Sequence, residues 1–156
     1  MSEHTFSPIT NKVQFDQALE YVALKSQELL KAVTGEDLPL ESVRLFAHTG
    51  EEYQDLERIA RSYGSAAENQ PGSGLYIACD MHIAGHHVRK IGIRPPDPDR
   101  EQVGHADYTA PDYKAFVAKH HKPLTGLTRP LPGREDQLFE VCHPDFDVLA
   151  YVVNNS

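Results

Sequence analysis

The stretch Arg94-Pro95-Pro96-Asp97-Pro98-Asp99-Arg100 decides how this chain is read. Pro95, Pro96 and Pro98 each lack a backbone N–H and hold φ near −65°. The run therefore cannot continue a β-ladder or sit inside a helix. It is the clearest internal boundary. Being short, it joins two halves of one domain rather than two separate domains.

Before the boundary, residues 75–82 and 86–93 read as two arms of a hairpin turning at Ala84-Gly85. Further back lies a small, polar loop over 65–74. It follows a helix with the apolar stripe Tyr53, Leu56, Ile59, Ala60 and Tyr63, closed by Gly64. Thr49 and Glu52 have capping-box spacing at its start. Residues 42–48 alternate as a strand. Residues 13–33 carry Phe15, Leu19, Val22, Leu29, Leu30 and Val33 at helical spacing, with Gly35 as the closing residue.

After the boundary the pattern restarts. Residues 104–109 read as a strand, and Pro111 suits the first turn of a helix. Tyr113, Phe116, Val117 and His120 form that helix's stripe. A Pro/Gly-rich loop over 122–136 leads to strands 138–143 and 148–153, which turn at Pro144-Asp145. The expected fold is α+β, with two βαββ(β)-type modules and an added N-terminal helix. Together they form a curved, partly open mixed sheet around a cleft. A single domain spans 1–156, divided into an N-terminal helical segment (1–37), a first module (38–96) and a second (103–154).

The chain has 156 residues, long enough to bury roughly 70% of its unfolded surface without a disulfide or structural metal. Its formal charge of −8 would repel nucleic-acid phosphates and anionic lipid, so neither is an expected partner. No apolar run reaches the ~20 residues of a membrane span. The polar N-terminus, which includes His4, lacks the features of a signal peptide. The two cysteines, Cys79 and Cys142, read as reduced, buried thiols in a cytoplasmic protein. The expected partner is a small, anionic molecule, with homodimerisation as the protein association considered. There is no GxSxG, P-loop or GxGxxG, so no nucleotide cofactor is expected.

Residues two apart on a strand share a face. Ser42, Arg44, Phe46 and His48 therefore lie together, as do His105, Asp107 and Thr109. His87 is grouped with Arg89, Ile91 and Ile93, and the two isoleucines point it inward; its neighbour His86 faces the other way. Glu140 lies with Leu138 and Cys142. One arrangement sets His87, His105 and Asp107 or Glu140 around a divalent metal (Zn, Ni, Mn or Fe). It leaves open positions that could polarise a substrate oxygen. Another needs no metal: His105 acts as a general base oriented by Asp107 or Glu140, while Arg44 holds an anionic group. Ser42 lies beside Arg44 on the substrate-binding face. His48 has a local structural role, and His120-His121 suits a helix C-terminus.

The stretch Val103-Gly104-His105-Ala106-Asp107-Tyr108-Thr109-Ala110-Pro111-Asp112-Tyr113 resembles the strand that opens the second module in the vicinal oxygen chelate (glyoxalase/bleomycin-resistance/dioxygenase) superfamily. His143-Pro144-Asp145-Phe146-Asp147 resembles its terminal hairpin. The YecM-like proteins are the nearest members, sharing an N-terminal helix and a Pro-rich linker before the His strand. The resemblance covers 38–153. It implies paired βαβββ modules and a metal-dependent lyase, isomerase or dioxygenase acting on a small oxygenated substrate. A binding protein without catalysis, on the same fold, is the alternative. The chain departs from the superfamily's ligand pattern. Ala150 stands at the expected glutamate, and Ser42 or Arg44 at the first-strand ligand. Only His105, with His86 or His87 nearby, keeps the type.

Overall fold

The computed structural model describes residues 6–67 and 74–154. The expectation for His4 lies outside them. Twelve elements follow one another, eight of them strands of a single sheet. Helix α1 spans Lys12–Thr34. The Asn11 side chain caps it by accepting from the Gln14 N–H, and Gly35 closes it at φ +76°, donating its N–H to Lys31. A left-handed closing residue favours glycine, which pays no Cβ penalty there. The face built from Phe15, Leu19, Val22, Leu29 and Leu30 is buried against β1 (Leu40–Phe46), β5 (Gly104–Thr109) and β8 (Val148–Val153). Each such side chain contributes about 1.5–3 kcal/mol.

Between β1 and β5 come α2 (Gly50–Ala60), β2 (Ser65–Ala66), β3 (Leu75–Ile83) and β4 (His86–Arg94). Between β5 and β8 come α3 (Tyr113–His120), a short 3-10 turn (Pro123–Thr125), β6 (Thr128–Pro130) and β7 (Leu138–Val141). The sheet order is β2-β3-β4-β1-β5-β8-β7-β6. β1 is parallel to β4 and β5 is parallel to β8, while β1 and β5 meet antiparallel at the centre. Helix α2 packs on β4, and Phe116 of α3 meets Phe139 of β7 edge to face at 5.9 Å. All three helices share one apolar core with Val43, Leu45, Ile91, Ile93, Ala106 and Val152. By alternation, the opposite sheet face carries Ser42, Arg44, His105, Asp107 and Tyr151.

Four details differ from the sequence expectation. Short strands β2 and β6 begin in or cross the stretches read as loops, where a neighbouring strand supplies the hydrogen-bond partners. Pro111 precedes α3, and Asp112 is the N-cap, accepting from the Ala115 N–H. Helix α2 ends at Ala60, before Tyr63 and Gly64. His120 does more than end its helix: its buried ring pairs with Glu36. The Ala84-Gly85 turn does form, with both residues at positive φ (51° and 82°), as the tightest hairpin turn requires. Among the described residues no helix is long and apolar enough to cross a membrane.

A polar clasp ties the N-terminal segment to this frame. The buried Glu52 carboxylate accepts from Ser7 Oγ at 2.6 Å and from the N–H groups of Ile9 and His48, each at 2.7 Å. Glu52 thus serves three partners outside its own helix, while Thr49 caps that helix at 3.0 Å. His48 sits over the clasp, with Nδ1 3.1 Å from Ser7 Oγ and Nε2 2.9 Å from the Gln102 carbonyl. The local structural role read for His48 is the one observed.

Candidate functional site

Cross-strand register gathers the site at the β1–β5 seam. Ser42 stands opposite Asp107, and Arg44 opposite His105. On the far side of β5, Tyr151 stands opposite Asp107, and beyond it Glu140 stands opposite Tyr151. A cavity of ≈ 240 Å³ opens over this row. Arg44, Tyr76, Lys90, Arg94, Arg100 and Arg134 line it, together with His105, Asp107 and Tyr151.

His105 and Asp107 form a buried pair. His105 Nε2 lies 3.2 Å from Asp107 Oδ1, and Ser42 Oγ donates to Asp107 Oδ2 at 2.6 Å. The imidazole stacks on Tyr151 at 4.2 Å and meets the Phe46 ring edge to face at 5.5 Å. Burial lowers the His105 pKa; Asp107 opposes that shift, and the charges of Arg44 and Arg94 add to it. The ring is therefore neutral near pH 7 and gives its Nε2–H to Asp107. Its Nδ1 is left buried without a hydrogen-bond partner. Burial also works against the Asp107 carboxylate. The hydrogen bonds from His105 and Ser42 more than offset it, and Asp107 stays ionised.

The cationic wall rests on an absent side chain. Gly92 of β4 is the register partner of both Tyr76 on β3 and Arg44 on β1. A Cβ at Gly92 would meet the Tyr76 ring at 2.8 Å and Arg44 Cγ at 3.1 Å. With no Cβ there, the Arg44 guanidinium lies 4.8 Å from the Tyr76 ring centre, and Lys90 Nζ lies 5.0 Å from it. Burial lowers the Arg44 pKa, and the Arg94 charge pushes the same way. Burial raises the Tyr76 phenol, and it raises Tyr151 to about 12 with help from Glu140, so both rings stay neutral.

Of the residues singled out from sequence, Ser42, Arg44, His105 and Asp107 come together. Glu140 shares their sheet face but is committed elsewhere. Arg100 lies 3.0 Å from its Oε2, Arg129 lies 3.1 Å from its Oε1, and Tyr151 donates to it at 3.2 Å. Asp107, not Glu140, therefore orients His105. His87 is not in the cavity: it is exposed, pairs with Asp80 and stacks on His82 at 5.1 Å. The two-residue alternation slips on β4, because Val88 and Ile91 are both buried although three residues apart. The slip sits beside the pairing irregularity between Ala78 and Met81, so Ile91 and Ile93 do not report the direction of His87. His86 turns to the helix side, 3.2 Å from Gln27. Ala150 faces the core, and Tyr151 takes the cavity face beside it.

A divalent metal does not fit these donors. Both Asp107 oxygens and both Glu140 oxygens already face hydrogen donors, His87 is remote, and the surrounding charge is cationic. Among the described residues no group of three or more His, Cys, Asp or Glu could hold a metal ion. Sequence reasoning missed Tyr76, Lys90, Arg94, Arg100, Arg134 and Tyr151. Lys90 and Arg94 carried a signal, since they alternate with the buried Ile91 and Ile93. No family model, curated protein or solved structure matches the chain.

Proposed function

We propose that the cavity binds a small anionic metabolite, on a sheet of two paired strand–helix–strand–strand–strand modules of the vicinal oxygen chelate kind. The module reading is supported by the sheet order, which is the same counted outward from the seam in either direction: first strand, fourth, third, second. The binding reading rests on one observation. The chain carries a net charge of −8, yet among the described residues five cations and two carboxylates, Glu41 and Asp107, line this cavity. Like charges crowd together only at a cost, which a bound anion removes. Guanidinium forks match carboxylate or phosphate oxygens in pairs. The cavity volume lies just below the ~300–1,000 Å³ of pockets for drug-sized ligands, so the ligand is small.

Thermal shift of the full chain against a panel of carboxylates and phosphates tests this reading. At least one should raise the melting temperature, with an effect that fades as salt screens the cations. If none does so at millimolar concentration, the reading fails. A catalytic version is favoured by the His105–Asp107 pair alone. In it, His105 takes a proton from the ligand held beside Arg44, and Asp107 steadies the imidazolium. Turnover that disappears in His105→Gln, with ligand affinity retained, would establish it. The metal-dependent reading would return only if protein purified without a His-tag carried stoichiometric metal.

A further inference from the structure

Resting on the anion binding proposed above, the geometry also bears on the uncharged part of the ligand. His105 lines the cavity and is 2% exposed, and its Nδ1 is buried with no hydrogen-bond partner. Its Nε2 is committed, 3.2 Å from Asp107 Oδ1. Asp107 is an ionised acceptor, so Nε2 carries the ring proton and Nδ1 presents a lone pair. The neighbouring hydroxyls direct their protons elsewhere, Ser42 to Asp107 and Tyr151 to Glu140. Leaving a buried acceptor unpaired costs its full desolvation, which a donor brought by a ligand would offset.

The strands leave an approach to that ring. Arg44 on β1 is the register partner of His105 on β5, yet its side chain turns the other way. Arg44 Cγ comes within 3.1 Å of where a Gly92 Cβ would stand on β4, and the guanidinium reaches on to the Tyr76 ring of β3 at 4.8 Å. Toward β8 the imidazole is covered by the Tyr151 ring, stacked at 4.2 Å. A ligand therefore meets His105 from the Arg44 side, where Lys90 Nζ also lies 5.0 Å from the Tyr76 ring centre. Three kinds of polar group could accompany an anionic head there. A carbonyl or second carboxylate oxygen has no proton to give. An ammonium would face Arg44 and Arg94, whose charges both bear on the imidazole. A hydroxyl gives a proton and carries no charge.

We propose that the ligand is a small anion bearing a hydroxyl, either a hydroxy carboxylate or a hydroxyalkyl phosphate. Its anionic group lies with Arg44 and Lys90, and its hydroxyl donates to His105 Nδ1. A site built to bond a ligand hydroxyl rejects the analogue that lacks one.

Isothermal titration of the full chain would compare lactate with propionate, 3-hydroxybutyrate with butyrate, and glycerol 3-phosphate with propyl phosphate, at about pH 7.5, where His105 is neutral. At least one hydroxylated member should bind about tenfold or more tightly than its plain counterpart, or ~1.4 kcal/mol, and the pair that shows the gap names the head group. In His105→Phe, with the fold checked by circular dichroism, the gap should shrink below about threefold while the plain anion keeps its affinity. In native protein carrying isotope-labelled histidine, nitrogen NMR gives a readout that needs no variant. The hydroxylated ligand should move the signal of the unprotonated His105 nitrogen upfield, and its plain counterpart should not. Equal affinity within every pair, a gap unchanged in His105→Phe, or an unmoved nitrogen signal would each overturn the hydroxyl contact while leaving anion binding intact. Binding of none of the six would overturn both.

Discussion

Two of the histidines that lie beside a carboxylate in largely buried surroundings, His48 and His105, make a pair to compare, and burial alone would lower the pKa of both. At the N-terminal clasp, the hydrogen bond to Glu52 and the Gln102 carbonyl overcome burial, and the His48 pKa ends above its ordinary value of 6.5. In the cavity, Asp107 helps His105 in the same way, but Arg44 and Arg94 work against it, and its pKa falls below 6.5. Both His48 ring nitrogens find oxygen partners, whereas His105 leaves one nitrogen without any. The difference separates a clasp, where polar groups are satisfied and hold structure, from the candidate site, where one buried nitrogen is left without a partner, in keeping with the proposed ligand binding.

The sharpest break of that comparison is at the clasp. Glu52→Ala strips acceptors from Ser7, Ile9 and His48 in a buried place, and should cost about 3–5 kcal/mol in urea unfolding. A loss below about 1 kcal/mol would refute the clasp. Arg44→Met should do the reverse. Burial disfavours the Arg44 charge in the folded chain, so the melting temperature should hold or rise. Ligand affinity should drop about a hundredfold, or ~2.7 kcal/mol.

Proton linkage gives an intermediate effect with opposite signs at the two sites. A histidine whose folded pKa is raised adds stability that is complete below pH 6.5 and is lost as pH climbs through the folded value. The folded pKa of Glu52 is lowered from 4.5, because the bonds from His48 and Ser7 outweigh burial. Its contribution is present above pH 4.5 and is lost as pH falls through the folded value. The clasp is therefore strongest between about pH 4.5 and 6.5, and the stability gap between native protein and His48→Phe should shrink above that window. His105 behaves oppositely. Its folded pKa is lowered, so acid protonates the unfolded chain first, and native protein should lose stability relative to His105→Phe as pH falls below 6.5. Melting curves of the three proteins between about pH 5 and pH 8 would check both slopes. A smaller loss than at the clasp is expected for His105→Phe at neutral pH. The new ring keeps the stack on Tyr151 and removes the unpartnered nitrogen, but it also takes the Nε2–H from the buried Asp107, so stability should fall by about 1–3 kcal/mol.

The centre of the site was readable because β5 and β1 alternate without interruption where it matters. Gly104–Thr109 forms as the residues suggest, so His105 with Asp107, and Ser42 with Arg44, could be assigned to faces before any pairing was known. His87 was misplaced because a face assignment carried along β4 must cross a phase slip, and nothing in Val88-Arg89-Lys90 announces one. The role of Gly92 depends on which residues stand beside it on two other strands, which the chain order does not contain. Arg100 and Arg134 reach the cavity from connections, where neither period constrains direction. The metal expectation counted ligand types along strands, whereas the oxygens of Asp107 and Glu140 face hydrogen donors that, apart from His105, come from other segments: Ser42, Arg100, Arg129 and Tyr151.

The sheet also ends in an informative way. Its outermost strands, β2 and β6, are only two and three residues long, and β6 includes Pro130, which has no N–H to offer. A long, flat border would recruit strands from other molecules. Among the described residues, these two border strands offer few backbone groups to a further strand, although β2 covers only Ile77 and Ala78 of the longer β3.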